Sequence, residues 1–564
     1  MVNEMEEEPE GSEERATGSS SAPSIFLFWM ALSLVHCGVS KEIEVQVVDP
    51  CNQEAVGTMD FLEFRPIGTG IDSDQLSTIE SVDAKMLGRP LEVPLTTDFQ
   101  IAIIGRRERF DAPIAGLGVS WTIDLFQASD PVRLMVPFGL INRFYRTTEL
   151  ADPRQCSFPV WGRYGTTATF IPESGRVLIV GGVDIEVQGG VTRPVYLRDV
   201  ELYDPSTGRF DVAAELGVGG ARAFHTASYL GGGRVLIAGG EALAEVTESL
   251  QTAFIIDAAD PRNVRIGTRI FVMQEARTGH TATPLADGRV VIAGGRELMG
   301  PRPEDHGYSE TLELYDPSEG TFTYLGDVNG NPLKMSAARF GHTASRLPPA
   351  AEGGPERVVI AGGTNGSNPV PFLDLVTIEP SSEGSTGHVV TASTGFSVGP
   401  IHHSATLVLD GVFEEGAVLF AGGYARIQDA EPQGGLPRNP LDRVEVWTLE
   451  EGALVRSCTA SLVGPRGFHT AAIEGRRAVF VGGLGPTGQA LDTAEVVELL
   501  PGASACFLTA PVVQTMEDPR SQHAMVPLAS SGEFLVVGGR RQPSSEDLGM
   551  SVRGAEIFSP ARAP

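Results

Sequence analysis

Five Arg-x-x-His pairs recur along this 564-residue chain: Arg222 with His225, Arg277 with His280, Arg339 with His342, Arg466 with His469, and Arg520 with His523. Two more positions keep the rhythm with one member changed, Arg163 with Thr166 in the histidine slot and Pro400 ahead of His403. Guanidinium forks suit carboxylates, and imidazole moves protons or holds metals. A catalytic or metal centre, however, breaks symmetry, whereas residues repeated through an array maintain it. The series is therefore read as scaffold, its arginines and histidines satisfying backbone carbonyls and carboxylates. The sharper expectation is a ligand-binding rim: Arg163, Arg222, Arg277, Arg339, Arg466 and Arg520 would border a central pocket suited to an anionic or polyhydroxylated ligand. His402, beside His403, is the extra histidine on that face, and His306 lies in a variable loop. No catalytic residue, metal site or cofactor is assigned.

The elements that must position these residues are marked by seven glycine doublets. Each closes a short apolar run: VLIVGG ending at 182, VLIAGG at 240, VVIAGG at 295 and again at 363, VLFAGG at 423, VFVGG at 483 and FLVVGG at 539. Their spacing of 55 to 68 residues makes the last four hundred residues a repeat array. Within one unit, ARAFHTASYL is a first strand, VLIAGG a second and TAFIID a third, while GRFDVAAEL in the preceding unit supplies a fourth. Four antiparallel strands tiled seven times predict a propeller. The doublets have a backbone explanation, since glycine accepts positive φ and close approach. They lack the GxGxxG spacing of a nucleotide loop.

These units resemble the kelch repeat in the doublet closing strand two, the tyrosine of ELYDP in strand three (Tyr203, Tyr315), and an aromatic opening strand four (Phe210, Phe322). Kelch units usually carry Trp at that last position. The resemblance implies an all-β, seven-bladed kelch-like β-propeller over residues 141–564, within the galactose oxidase-like superfamily. The last unit ends with a third strand, GAEIFSP at 554–560, and NRFYRTTEL at 142–150 matches GRFDVAAEL in its Arg, Phe, Glu and Leu. The missing outer strand is expected from 142–150, pairing with 554–560 and closing the ring. Residues 41–140 lack doublets and show strand-like runs such as IEVQVVD and FQIAIIG, which predict a small β-sandwich similar to transthyretin-like or carboxypeptidase-regulatory-like modules.

A net charge of -30 argues against nucleic acid as a partner and against anionic membrane surfaces. Residues 1–23 are acidic, and the apolar stretch from Ile25 to Val35 has the length of a signal-peptide core, short of a membrane span. Leu34, Val35, His36 and Cys37 resemble a bacterial lipobox, although His36 stands where a small residue is usual. The expectation is an exported protein, lipid-anchored at Cys37 on the outer membrane or cell surface, and otherwise periplasmic or secreted. Cys51, Cys156, Cys458 and Cys506 permit two disulfides in any of three connectivities, or four buried thiols.

The long non-repeating loops after the doublets, at 183–199, 241–251, 296–310, 424–441 and 540–553, share one face and locate function there. The functional expectation is a non-enzymatic binding or scaffold protein of the cell envelope, recognising a protein or glycan. The alternative is a carbohydrate-active enzyme, mutarotase-like or galactose oxidase-like, with its site in the central pocket. The oxidases hold copper with two Tyr and two His, one Tyr crosslinked to a Cys, and neither Cys156 nor Cys506 lies in such a motif.

Overall fold

The computed structural model describes residues 40–560, except for 49–58, 72–76, 81–90, 108–113, 300–305, 381–385, 410–415, 429–437, 500–505, 542–549 and several stretches of four residues or fewer. The acidic stretch, the apolar segment, Cys37 and Cys51 lie outside the described residues.

The N-terminal part contains β1 (Ser40–Val48), β2 (Phe61–Ile67), β3 (Ser77–Glu80), β4 (Leu91–Pro94), β5 (Gln100–Arg106), β6 (Ile114–Val119), β7 (Val132–Pro137) and β8 (Gly139–Leu140). One sheet has the order β4-β1-β7, with β1 parallel to β7, and the other the order β3-β2-β5-β6-β8. Alternate residues of β1 (Ile43, Val45, Val47) and β7 (Val132, Leu134, Val136) turn inward. They meet Leu62 and Phe64 of β2 and Ile101 and Ile103 of β5 in one core. Alternation of this kind on two facing sheets makes a sandwich.

With β9 (Arg143–Arg146) completing the last of them, the described residues that follow form seven antiparallel sheets on a four-strand plan, called units one to seven. Their first strands are Thr167–Ile171, Thr226–Tyr229, Thr281–Pro284, Thr343–Leu347, Ser404–Val408, Thr470–Glu474 and Ala524–Leu528. Each first strand touches that of the next unit, and unit seven's touches unit one's, so the sheets form a closed ring. In unit two the fourth strand is split into Arg265–Ile266 and Phe271–Val272.

The second strands read as unbroken apolar runs because both of their faces are covered. In unit four, Val358 and Ile360 pack toward unit three, whereas Val359 and Ala361 pack toward unit five. The same alternation fills every junction of the ring, so each sheet is buried on both sides by its neighbours. Unit seven consists of Ala524–Leu528, Glu533–Val537, Ala555–Ser559 and β9, which pairs antiparallel with the third strand from Glu556↔Arg146 to Ser559↔Arg143. Tyr145 of β9 donates its hydroxyl to the buried Glu533 carboxylate at 2.6 Å. Trp121 of the sandwich packs on the same cluster of Tyr145, Val177, Leu535 and Ile557.

Candidate functional site

The arginine and histidine series builds the joints of this ring. All six arginines, Arg163, Arg222, Arg277, Arg339, Arg466 and Arg520, are at most 1% exposed, so the structure removes them from any ligand-binding rim. Each Nη1 donates to the carbonyl of its own unit's first doublet glycine, as Arg277 does to Gly294 at 2.7 Å and Arg466 to Gly482 at 2.9 Å. In five units Nη2 also meets a carboxylate from the third strand: Glu201, Glu313 (2.8 Å), Asp374 (2.7 Å), Glu495 (2.8 Å) or Glu556 (2.6 Å). The five guanidinium groups paired in this way cannot turn to a ligand without leaving carboxylates uncompensated. Arg222 has Phe254 in the carboxylate slot and lies 4.5 Å from that ring's centroid, and burial pushes its pKa down to about 10. In unit five Pro400 replaces the arginine, and Glu445 turns to Arg443 Nε (2.5 Å) and Trp447 Nε1 (3.0 Å).

The doublet joins one unit to the next. Its second glycine donates N–H to the carbonyl of the following unit's Arg, or of Pro400, from Gly182 to Arg222 at 2.9 Å round to Gly539 and Arg163 at 2.7 Å. Its first glycine has no room for a side chain: at Gly294 (φ +58) a Cβ would lie 2.6 Å from Arg339 O and 2.7 Å from His342 Cε1. The buried histidines complete the joint, sharing Nε2 hydrogen bonds with the preceding unit at Thr167, Thr226, Thr281, Thr343, Ser404 and Thr470, at 2.7 to 3.1 Å. Where units seven and one meet, both members are absent: Ala524 follows His523, and Thr166 bonds Val180 O instead. Burial pushes the His280 and His403 pKa down to about 3, and those of His225, His342, His469 and His523 well below normal. These are neutral structural imidazoles.

The residue between this joint and the ring axis differs from unit to unit. The position just before the histidine slot has a left-handed backbone in all seven units: Gly165, Phe224, Gly279, Gly341, His402, Phe468 and Gln522, with φ between 52° and 67°. Their backbones link unit to unit. Gly165 N donates to Gln522 O (3.1 Å), Phe224 N to Gly165 O (2.8 Å), Gly279 N to Phe224 O (3.4 Å), His402 N to Gly341 O (2.8 Å), Phe468 N to His402 O (3.1 Å) and Gln522 N to Phe468 O (3.1 Å). The left-handed conformation costs a side-chain-bearing residue about 1–2 kcal/mol and glycine almost nothing. Three units use glycine, and four hold a strained side chain.

Those side chains gather with aromatic neighbours at the mouth of the ring. His402 stacks on Phe468 (centroids 4.1 Å apart) and meets Phe340 edge-on at 5.3 Å, while Tyr424 approaches Phe468 at 5.7 Å. Tyr164 lies 6.1 Å from Phe224. Of the residues that follow the doublets, Arg296 lies over Phe340 (4.1 Å) and Arg540 over Tyr164 (5.2 Å). The mouth thus presents the half-buried rings of Tyr164, Phe224, His402 and Phe468, backed by the buried Phe340 and Tyr424 and flanked by two basic groups, and His402 is the one residue of the sequence-derived rim that reaches it. Sequence spacing missed Phe224, Phe468, Gln522, Arg296 and Arg540. A usable signal was the position ahead of the histidine slot, glycine in three units and a large residue in four.

Over units one to three the loops after the doublets rise as hairpins, Val183–Gln188 with Val191–Tyr196, Glu241–Leu243 with Thr247–Ser249, and Arg296–Leu298 with His306–Tyr308. Tyr196 Oη donates to Glu241 Oε1 (2.9 Å), and Leu298 N to Ser249 Oγ (2.9 Å), tying neighbouring hairpins into a wall. Away from the mouth, Cys458 and Cys506 form a disulfide with a Cα separation of 5.5 Å, and Cys156 is also disulfide-bonded. Among the described residues no three His, Cys, Asp or Glu side chains are grouped to hold a metal ion, and no helix is long and apolar enough to cross a membrane.

No protein family profile matches the chain, and no curated protein matches it. Among solved structures it is similar to a structure of YjhT, with 13% identity and a TM-score of 0.41 over 64% of this chain and 99% of that one. It is also similar to a fungal alcohol oxidase of the AA5 family in complex with copper, with 16% identity and a TM-score of 0.46 over 71% of this chain and 75% of that one. The closed ring of four-stranded antiparallel sheets, read from its own strand pairing, makes this chain an all-β protein built on a β-propeller.

Proposed function

We propose that the protein is a non-enzymatic binding protein that recognises a glycan at the axial mouth. The observation that carries this reading is the strain at Phe224, His402, Phe468 and Gln522. Glycine fills the same left-handed position in three other units, so the fold does not require these side chains. Unfavourable backbone held for the sake of a side chain points to function. Aromatic faces offer the C–H surfaces of a sugar ring a flat apolar partner, and Gln522, Arg296 and Arg540 supply hydrogen-bond donors for its hydroxyls. Export to an oxidising compartment belongs to the same proposal and is supported by the Cys458–Cys506 disulfide. Lipidation at Cys37 is its membrane-attached form, and mass spectrometry of the mature N-terminus tests it.

Screening the full chain against immobilised oligosaccharides, followed by calorimetry on those retained, tests the reading. The expected result is saturable binding that weakens about five- to tenfold in Phe224→Gly, the loss of one aromatic contact. Chemical turnover of a retained sugar would replace binding by catalysis. Affinity untouched by substitutions at Phe224 and Phe468 would remove the mouth from the account.

A further inference from the structure

On the outer side of unit seven an open depression of about 380 Å³ is lined by Arg146, Phe158, Asp518, Arg541, Met550 and Arg553, among others. Its charge is unlike that of the chain as a whole, which carries -30. Asp518, nearly buried, pairs with Arg541 and lies 3.7 Å from both Arg146 and Arg520. One carboxylate thus faces three guanidinium groups. Glu517 and Glu556 take further donors of Arg146 and Arg520. Arg553 is exposed, donates Nε to Pro159 O at 2.7 Å, and pairs with no carboxylate among the described residues. The guanidinium of Arg146 also lies 5.7 Å from the Phe158 ring centroid, so the floor combines an apolar face with cationic edges.

The depression and the mouth meet at one short segment, where Arg540 bridges Ser521 on one side and Ser551 on the other. Arg540 and Arg541 are consecutive, and side chains alternate along extended backbone. Arg540 lies over Tyr164 at the mouth, while Arg541 lines the depression. A ligand lying across this segment meets a basic group on either side.

We infer that the depression is an anion subsite continuous with the mouth, and that the ligand is an acidic glycan whose sugar stacks at the mouth while a uronate carboxylate is held by Arg553 and Arg541. This rests on the glycan reading above and adds the charge of the ligand. Exposed guanidinium groups with donors to spare bind carboxylates in charge-assisted pairs.

The test is calorimetry of the full chain with a galacturonic acid hexamer and with its methyl-esterified, uncharged counterpart. The acidic hexamer is expected to bind at least about tenfold more tightly at low salt, with the advantage shrinking as salt is raised. Arg553→Ala, at an exposed position where folding is not at risk, should abolish that advantage and leave the neutral hexamer unchanged. Phe224→Gly should weaken both. Equal affinity for the two hexamers, or an acidic hexamer indifferent to Arg553→Ala, overturns the anion subsite and leaves the glycan reading standing. Binding of neither hexamer or of any screened saccharide, with Arg553-dependent binding of poly-glutamate instead, overturns the saccharide class altogether.

Discussion

Replacing Phe224 by glycine should barely change the stability of the ring, although a half-buried phenylalanine is lost. The wild-type residue has φ 52°, which costs about 1–2 kcal/mol that glycine does not incur. Against this gain, glycine's freer unfolded chain costs about 0.5–1 kcal/mol. Loss of the Tyr164 contact at 6.1 Å and of the packing over Gly165 costs about another 1 kcal/mol. The balance lies within about 1 kcal/mol of zero. Phe480→Ala makes the control, because Phe480 is 0% exposed in the core between units five and six. There the cost should be about 3–5 kcal/mol. Urea unfolding followed by tryptophan fluorescence measures both, with far-ultraviolet circular dichroism checking that the transitions coincide. If Phe224→Gly loses as much as Phe480→Ala, the side chain is a structural wedge and the argument from strain to ligand recognition collapses.

Gly294→Ala should cost about 3 kcal/mol or more, because the new methyl meets Arg339 O at 2.6 Å from a φ of +58°; thermal unfolding reads this as a lowered midpoint. Acid should weaken the ring through its buried histidines. Their folded pKa values lie below the unfolded value of about 6.5, so the unfolded state takes up protons first and stability falls as pH drops from about 6.5 toward 3. Each such histidine steepens the fall by about 1.4 kcal/mol per pH unit. Thr166 fills this slot in unit one, so His280→Thr should flatten urea midpoint against pH by one proton's worth; an unchanged slope would show that His280 does not titrate on unfolding. Arg277→Met should cost about 3–5 kcal/mol by leaving Glu313 buried without its cation, and adding Glu313→Met in the same chain should recover much of the loss, as a double-mutant cycle in urea will show.

The propeller was legible because its marker is geometric. A first doublet glycine sits where the next unit's arginine carbonyl and histidine leave no volume for a methyl, so the residue type reports the contact directly. The arginines were legible as scaffold through their recurrence, and only the rim reading misled. Their spacing places them at the start of each first strand but says nothing of the direction in which a long side chain turns. That direction is set by the third-strand carboxylates Glu201, Glu313, Asp374, Glu495 and Glu556, each in the same register. Read beside the arginines, those acids would have announced a buried pair. The mouth was harder still, because Phe224 and Phe468 look like ordinary apolar residues until backbone angles show them in a conformation glycine would occupy more cheaply. Arg540 and Arg541 likewise differ in what they face only once the bridges from Arg540 to Ser521 and Ser551 are seen.

The closing of unit seven by β9 bears on how this molecule comes into being. Thr147 Oγ1 lies 3.2 Å from Ala555 O, a partner 408 residues away along the chain. A ribosome must therefore deliver the whole intervening chain before unit seven can be completed, and until then β9 and the open edge of the growing ring remain unpaired. Contacts between such distant segments form slowly, and unpaired strand edges invite association with other chains. The seam that completes the ring is thus its point of greatest vulnerability during synthesis, and a chaperone that shields β9 would act where protection counts most.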